Sequence, residues 1–208
     1  MQLYKYPRTY HLPWSLGVAD DDKVISDTSI FNNCEVVVTE KLDGENASMY
    51  SNYYHARSLD GCNHWGRDWV KNFHSKIKHN IPEGYRICGE NLFAKHSIGY
   101  DDLESYFYGF SMWHEDTCLS WDETLEWFEL IGIKSVKILY RGSFDEKLIC
   151  NLQKSLDFSK QEGYVLRKVD SFKMSQFKSN VAKFVRANHI TTENHWMYGE
   201  IKQNQIRK

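Results

Sequence analysis

VVVTEKLDGENASMY, residues 36–50, contains two β-strand patterns separated by a tight turn. Val36–Thr39 is a run of β-branched residues typical of a buried strand, and a second strand pattern follows Gly44. Lys41 leaves the first strand, and Asp43 follows it by two residues. Glycine then allows the backbone to turn tightly. The stretch therefore predicts paired strands with a lysine at the start of their connection.

Strand and short helix patterns alternate through the rest of the chain. The helix signals are clearest at Trp65–His79, which stops before Pro82, and at Ser120–Glu123, a capping box opening a helix that ends before Gly132. Tyr100–Ser105 predicts a short helix or turn. Strands are predicted at Tyr53–Arg57, Tyr85–Leu92, Phe107–Trp113, Val136–Tyr140, Tyr164–Lys168 and Val181–Val185. The pattern predicts an α+β fold, an antiparallel sheet with flanking helices.

The composition of the 208 residues is that of a globular protein, with 41% hydrophobic, 26% charged and 15% aromatic residues. It excludes a disordered tail, a collagen-like repeat and a coiled coil. No apolar run is long enough for a membrane span, so no membrane partner is expected. The five cysteines form no CxxC pair, which favours reduced thiols in a cytoplasmic or nuclear compartment over a thiolate metal site.

Basic residues are concentrated towards the end of the sequence. Residues 1–159 contain 16 Lys and Arg against 24 Asp and Glu, whereas residues 160–208 contain 10 against 4. A basic quarter beside an acidic body is typical of a protein that binds a polyanion. A solvated charged surface explains the same asymmetry equally well.

Lys41 is the candidate nucleophile of the sequence. A lysine amine attacks only when it is unprotonated, and burial or a nearby cation lowers its pKa from about 10.4. Asp43 has the opposite effect on that pKa, so we expect it to bind a metal ion or to orient a ligand. The alternative for both residues is a surface turn that carries an ion pair.

Two glutamates are candidate metal ligands. Glu90 and Glu162 each lie beside a glycine at the end of a predicted strand, where a carboxylate can point into a cleft. With Asp43 they form a hard oxygen donor set suited to Mg²⁺. Solvated acids at strand ends are the common alternative.

Three further residues each have two explanations. Lys183 shares one face of its predicted strand with two valines, so its amine either extends to water or meets an anion such as a phosphate. Phe107 is a candidate ligand contact or a core residue. Arg57 is a candidate ligand contact or half of a surface ion pair.

Six sites in a fixed order resemble the motifs of the covalent nucleotidyltransferases, the superfamily of RNA ligases, DNA ligases and mRNA capping enzymes. They are Lys41-Leu42-Asp43-Gly44, His55-Ala56-Arg57-Ser58, Cys88-Gly89-Glu90-Asn91-Leu92, Phe107-Tyr108-Gly109-Phe110, Glu162-Gly163-Tyr164-Val165-Leu166-Arg167 and Val181-Ala182-Lys183-Phe184. The resemblance spans residues 36–186. Asn46, five residues after the lysine, is similar to a functional asparagine of the RNA ligase 2 type, and Tyr6-Pro7-Arg8-Thr9 resembles a subgroup of RNA ligases.

The resemblance implies an ATP-dependent RNA ligase built as a single nucleotidyltransferase domain over residues 1–208. The implied fold is an antiparallel, ATP-grasp-like adenylation domain without a C-terminal OB barrel, because only about 22 residues follow Arg186. In the implied reaction Lys41 takes AMP from ATP, AMP passes to an RNA 5′-phosphate, and a 3′-hydroxyl displaces it. We expect a monomer, and an end-healing kinase–phosphatase is a candidate partner.

The resemblance also assigns roles to residues. Catalysis is expected to depend on Lys41, Asp43, Glu90, Glu162 and Lys183. Mg²⁺ or Mn²⁺ is expected on Asp43, Glu90 and Glu162. ATP is expected to contact Glu40, Lys41, Leu42, Asn46, Arg57, Glu90, Phe107, Glu162 and Lys183. Phe107 would stack on the purine, and Lys183 would neutralise the α-phosphate.

Several alternatives stay open. The fifth motif ordinarily offers two lysines separated by one residue, and here only Lys183 matches, so the second positive charge falls to Lys178 or Arg186. Lys173, Lys178 and Arg186 are expected to hold RNA, and residues 188–196 to form a packing helix. The alternative functions are a DNA ligase or guanylyltransferase catalytic domain, and a non-catalytic relative that binds nucleotide or RNA.

Overall fold

The computed structural model describes residues 2–59, 64–187 and 202–207. Its strands are β1 (Tyr10–His11), β2 (Glu35–Lys41), β3 (Glu45–Met49), β4 (Tyr54–Ala56), β5 (Tyr85–Asn91), β6 (Phe107–His114), β7 (Thr117–Cys118), β8 (Lys134–Ser135), β9 (Ile138–Ser143), β10 (Gly163–Lys168), β11 (Phe172–Lys173) and β12 (Val181–Val185). Its α-helices are α1 (Asp68–Ile77), α2 (Trp121–Ile131) and α3 (Glu146–Asn151). Turns of 3₁₀ helix lie at Ser29–Phe31, Trp65–Arg67, Lys78–Asn80, Leu152–Ser155 and Met174–Ser179. The helix expected over residues 188–196 lies outside the described residues.

Five strands form one sheet, here called sheet one, in the order β1-β12-β10-β2-β9. Its pairs are antiparallel except for β1 and β12, which run parallel. Val36 and Val38 of β2 are fully buried and pack with Tyr164, Phe184 and Phe31. The valine-rich run forms a central strand because β-branched side chains pack well in a buried sheet.

The other strands form sheet two, in the order β11-β7-β6-β5-β3-β4, with β8 beside β6. Helices α1 and α2 cover one face of sheet two. Val70 of α1 and Phe128 of α2 are buried in one cluster with Met49, Ile87 and Met112 of the strands. The opposite face is left to form one wall of a cleft.

The turn 42–44 connects the two sheets. Lys41 ends β2 in sheet one, and Glu45 begins β3 in sheet two. Gly44 is required in this turn because a Cβ atom on it would lie 2.5 Å from the Asn91 carbonyl oxygen. The motif around Lys41 is therefore the crossing point between the sheets.

The predicted α+β class is confirmed, and so is the capping box of α2. The Ser120 hydroxyl accepts from the Glu123 amide, the Glu123 carboxylate accepts from the Ser120 amide, and Gly132 ends the helix with φ 81°. Neither sheet closes into a barrel among the described strands. No helix in the described part of the chain is long and apolar enough to cross a bilayer.

Element boundaries differ from the prediction at three places. The helix expected over Trp65–His79 divides into a 3₁₀ turn, α1 and a second 3₁₀ turn. The strand expected at Val136–Tyr140 is β9, which reaches Ser143 because its pairing with β2 extends to Glu35. Tyr100–Ser105, predicted as a short helix or turn, contains no helix and consists of bends around an isolated bridge at Leu103. Tertiary pairing, which local sequence does not show, moves these boundaries.

Candidate active site

A cleft of about 940 Å³ is lined by residues of both sheets. Thr39 and Val165 contribute from sheet one, and Asn46 and Glu90 contribute from sheet two. The cationic residues in its walls are Lys5, Arg8, Lys41, Arg57, Arg67, Arg167 and Lys183. The acidic residues in its walls are Asp21, Asp22, Glu40, Glu45 and Glu90. Cations therefore outnumber acids by seven to five, an excess that suits an anionic ligand.

Lys41 lies where β2 ends at the cleft. Its Nζ is 2.5 Å from Glu162 Oε2, because Lys41 pairs with Gly163 and Glu162 directly precedes β10. The Lys41 side chain is 25% exposed and that of Glu162 is 7% exposed. Burial favours the neutral amine, but Glu162, Glu90 and Asp43 together raise the pKa of Lys41 above its ordinary value. The resting amine is therefore protonated at neutral pH.

Glu90 approaches the same lysine from β5. It pairs with Asn46 of β3, and its Oε1 accepts a hydrogen bond from the Gly44 amide at 3.2 Å. Burial first, and then the like charges of Glu162 and Asp43, raise the pKa of Glu90 to about 8 despite the attraction of Lys41. The positive charge of Lys41 is therefore too small to offset the combined effect of burial and the neighbouring carboxylates on the pKa of Glu90.

Asp43 is held by a neighbouring segment. Its Oδ2 accepts hydrogen bonds from the Ser97 hydroxyl at 2.6 Å and from the Ile98 amide at 2.7 Å. Among the described residues, no group of three or more His, Cys, Asp or Glu side chains is arranged to hold a metal ion. The site of three carboxylates stays a prediction. All three carboxylates raise the pKa of Lys41, and that of Asp43 is also held by Ser97 and Ile98.

Lys183 reaches the cleft from β12. Its Nζ lies 3.4 Å from Asp22 Oδ1, and Asp22 Oδ2 lies 3.0 Å from Nε2 of the buried His11. Burial lowers the pKa of Lys183 and the charge of Lys41 lowers it further, while Asp22 opposes both. Of the two outcomes left open for Lys183, water or an anion, the structure shows an ion pair with Asp22, and the contact with phosphate stays a prediction.

Phe107 was expected to stack on the ligand, and the structure corrects that expectation. It is fully buried in the cluster under α1 and α2, and it is absent from the cleft walls. Cys88 pairs with Ser111 and Gly89 with Gly109, so Phe110 is an unpaired bulge residue of β6. Phe110 and Ser111 both line the cleft as a result. The cleft aromatic of this strand is Phe110.

The other predicted ligand contacts line the cleft. Glu40, Leu42, Asn46 and Arg57 are all in its walls. Burial raises the pKa of Glu40. Arg57 is exposed and lies at the rim of the cleft.

Sequence reasoning missed other cations of the cleft. Arg8 pairs with Asp21, with Nη2 and Oδ2 3.2 Å apart, and Arg67 is 3% exposed with its Nε 2.9 Å from both carboxylate oxygens of Glu45. Arg8 lies in the stretch Tyr6-Pro7-Arg8-Thr9, whose resemblance assigned it no role, and no sequence pattern pointed to Arg67. The candidates for the second positive charge and for RNA binding are absent from the cleft walls: Lys173, Lys178 and Arg186.

The sequence model of the RNA ligase family matches residues 34–185. The chain belongs to the RNA ligase family. The matched range contains Lys41, Glu90 and Lys183, which line the cleft, and it also contains Glu162, the partner of Lys41.

Three solved structures are similar in fold to this RNA ligase family member. A candidate ATP-dependent DNA ligase from Aquifex aeolicus has a TM-score of 0.56 and 21% identity, covering 88% of this chain and 50% of that chain. An archaeal ATP-dependent RNA ligase has a TM-score of 0.59 and 15% identity, with coverages of 87% and 48%. A single-site mutant of the Naegleria gruberi RNA ligase, with ATP and Mn, has a TM-score of 0.55 and 16% identity, with coverages of 89% and 61%.

No curated protein sequence matches this RNA ligase family member. The chain spans 48% to 61% of the length of the three similar structures.

Proposed function

We propose that this chain is the nucleotidyltransferase domain of an ATP-dependent RNA ligase, with residues 1–208 forming one domain. The position of Lys41 carries the proposal: it lies in a cationic cleft at the crossing of two sheets, against the buried Glu162. A lysine whose charge is set by surrounding carboxylates is typical of a functional site. The Naegleria ligase solved with ATP and Mn supports the same two ligands here.

In the first proposed step, the Lys41 ammonium gives a proton to water, and the neutral nitrogen forms a bond to the α-phosphorus of ATP. The bond from that phosphorus to the β-phosphate oxygen breaks, and pyrophosphate leaves. An oxygen of an RNA 5′-phosphate then replaces the lysine on AMP. Finally an RNA 3′-hydroxyl oxygen attacks the 5′-phosphorus, and AMP leaves as the strand is sealed. Lys183 supplies positive charge to the α-phosphate in the first step.

The chain's carboxylates fit a divalent cation that is shared with substrate phosphates. Mg²⁺ in proteins is commonly bound by one or two carboxylates together with phosphates, rather than by an all-protein cage. Glu90 and Glu162 are such a pair. Burial, and then the neighbouring carboxylates, raise the pKa of Glu90 to about 8, and a cation would offset both effects. Bound there, Mg²⁺ or Mn²⁺ would neutralise phosphate charge and lower the pKa of Lys41.

The proposed base site lies between the sheets, beside the bulge of β6. Phe110 of sheet two and Val165 of sheet one pack against the same core cluster and both line the cleft. An aromatic face stacks readily on a purine. Leu42 lines the same cleft and would flank the base.

Phe110→Ala and Phe107→Ala test this placement as a matched pair. We expect Phe110→Ala to raise the KM for ATP with little loss of stability. Phe107→Ala should instead destabilise the fold by about 3–5 kcal/mol, because it removes a fully buried ring. Thermal denaturation and nucleotide titration distinguish the two variants. A higher KM for ATP in Phe107→Ala, together with a loss of stability in Phe110→Ala, would return the stacking role to Phe107.

The RNA is proposed to contact cations at the cleft rim. Arg8 and Arg57 are exposed there, whereas Lys173 lies off the cleft with its amine 2.9 Å from Asp116. We therefore expect Arg8→Ala and Arg57→Ala to weaken RNA sealing more than Lys173→Ala does.

The deciding experiment incubates the protein with Mg²⁺ and labelled ATP or GTP, and follows acid-stable label on the protein. We expect labelling by ATP and not by GTP. Both Lys41→Ala and Lys41→Arg should abolish it, because arginine keeps its charge but does not become a neutral nucleophile. Lys178→Arg, an exposed position off the cleft, is the control. Label on Lys41→Ala would contradict the proposal.

DNA joining is the second candidate, favoured by the similarity to the Aquifex aeolicus ligase. Sealing of nicked duplexes that differ only in having RNA or DNA at the nick separates the two functions. Faster sealing of the DNA nick would select the second candidate.

A further inference from the structure

We propose that residues 202–207, here called the strap, position the turn that carries Lys41. The strap lies against residues 92–106, the connection between β5 and β6. The proposal rests on the proposed function of Lys41, and it assigns positioning roles to Tyr100 and Asn204.

The connection holds the two residues that follow Lys41. The Asp43 amide donates to the Tyr100 hydroxyl at 2.9 Å, in addition to the two hydrogen bonds that the Asp43 carboxylate accepts from the same segment. The Leu42 side chain packs into a cluster with Leu103 and Tyr106. The backbone from which Lys41 extends is therefore held by the connection.

The connection has no regular secondary structure of its own, so its backbone groups need partners from elsewhere. The strap supplies them. Asn204 Nδ2 donates to the Leu92 carbonyl at 2.8 Å, the Asn204 amide donates to the Phe93 carbonyl at 3.1 Å, and the Gln205 amide donates to the Tyr100 carbonyl at 2.9 Å. Asn204 is 3% exposed, so its side chain is buried within the protein.

Tyr100 joins the two sets of contacts. Its amide donates to Asn204 Oδ1 at 2.9 Å, and its hydroxyl accepts from the Asp43 amide. A continuous series of hydrogen bonds thus runs from Asn204 through Tyr100 to Asp43. Neither Asn204 nor Tyr100 is in the cleft walls, so neither is placed to contact a nucleotide directly.

The variants Tyr100→Phe and Asn204→Ala test the proposal through the rate of Lys41 adenylylation at saturating ATP and the KM for ATP. Misplacing a nucleophile slows the chemical step without removing a ligand contact, so we expect the rate to fall by about tenfold or more and the KM to stay within about twofold. Tyr100→Phe keeps the packed ring and loses only the hydroxyl. An unchanged rate, or a higher KM at an unchanged rate, would overturn the proposal.

Matched controls separate positioning from general loss of hydrogen bonds. Tyr140→Phe removes a hydroxyl bonded to the Ser143 carbonyl at 2.7 Å, and Asn180→Ala removes an amide bonded to the Gln176 carbonyl at 2.8 Å. Both should leave the adenylylation rate unchanged. A tenfold loss in these controls as well would assign the effect to the fold rather than to the strap.

Amide hydrogen exchange tests the strap even if the proposed function fails. We expect Asn204→Ala to speed exchange in peptides covering residues 92–106 and 40–46, and to leave α2 unaffected. A wild-type protein that forms no lysyl-AMP would reject the proposed function alone. Unchanged exchange over residues 40–46 would reject the strap alone.

Discussion

Lys41 and Lys183 reach one cleft from the two neighbours of β10, yet their amines have opposite electrostatic surroundings. Lys41 pairs with Gly163 and Lys183 with Val165, and their side chains are 25% and 19% exposed. Carboxylates overcome burial and raise the pKa of Lys41. Burial and the positive charge of Lys41 lower the pKa of Lys183, and Asp22 and Glu162 oppose them. Exposure is nearly equal, so the surrounding charges account for the opposite directions of the two pKa shifts.

The largest expected difference between the two lysines is in catalysis. Lys41→Ala should lose all covalent AMP, because no other side chain occupies its place beside Glu162. Lys183→Ala should retain the covalent product at a rate lower by about 10²-fold, as expected for the loss of one charge that stabilises the transition state. Quench-flow measurement of the protein-bound label checks both. Complete loss of the covalent label in Lys183→Ala would mean that Lys183 is as essential to the covalent step as Lys41, which would contradict the two different roles.

A second prediction concerns the amines themselves, in protein free of nucleotide and metal. Only neutral amine reacts with an acetylating reagent, and that fraction at a given alkaline pH is larger for the lysine with the lower pKa. We therefore expect Lys183 to be acetylated before Lys41, and the rates of both to rise with pH. Mass spectrometry of the modified peptides gives the rates, normalised to the exposed Lys76.

Glu162→Gln sharpens this second test. It removes a carboxylate that raises the pKa of Lys41, so the acetylation profile of Lys41 should move to lower pH and approach that of Lys183. Faster acetylation of Lys41 than of Lys183 in the unmodified protein would contradict the comparison.

The smallest expected effect comes from Asp22, the partner of Lys183. Asp22→Asn removes a carboxylate that competes with phosphate for the amine, so the KM for ATP should fall by a few-fold, about the worth of a partly exposed ion pair. Asp21→Asn, whose partner is Arg8 at the exposed rim, is the matched control and should change less. A higher KM in Asp22→Asn would mean that the ion pair orders Lys183 for the ligand.

The sequence was sufficient where local pattern and structure coincide. Alternating strand patterns predicted most of the strands, and the Ser120–Glu123 capping box predicted α2. The ordered motifs predicted that Lys41, Glu90 and Glu162 lie close together, as they do in the structure. The stacking role of Phe107 came from the resemblance alone, whereas the core alternative that the residues offered is the one the structure shows.

The partners of Asp43 were equally hidden from the sequence. Ser97 and Ile98 lie in an irregular segment with no periodicity, and that segment is held by residues about a hundred positions further along the chain. Contacts of this kind depend on tertiary structure, and a single sequence gives no local signal for them.

The bulge of β6 has a consequence for how the family can diversify. Phe107 and Met112 are buried under the helices, and a Cβ atom on Gly109 would lie 2.5 Å from the Phe128 ring of α2. Residues 110 and 111 are adjacent in sequence and both face the cleft. Mutation and selection can therefore exchange two consecutive side chains that meet a ligand, while the packing of α1 and α2 is inherited unchanged.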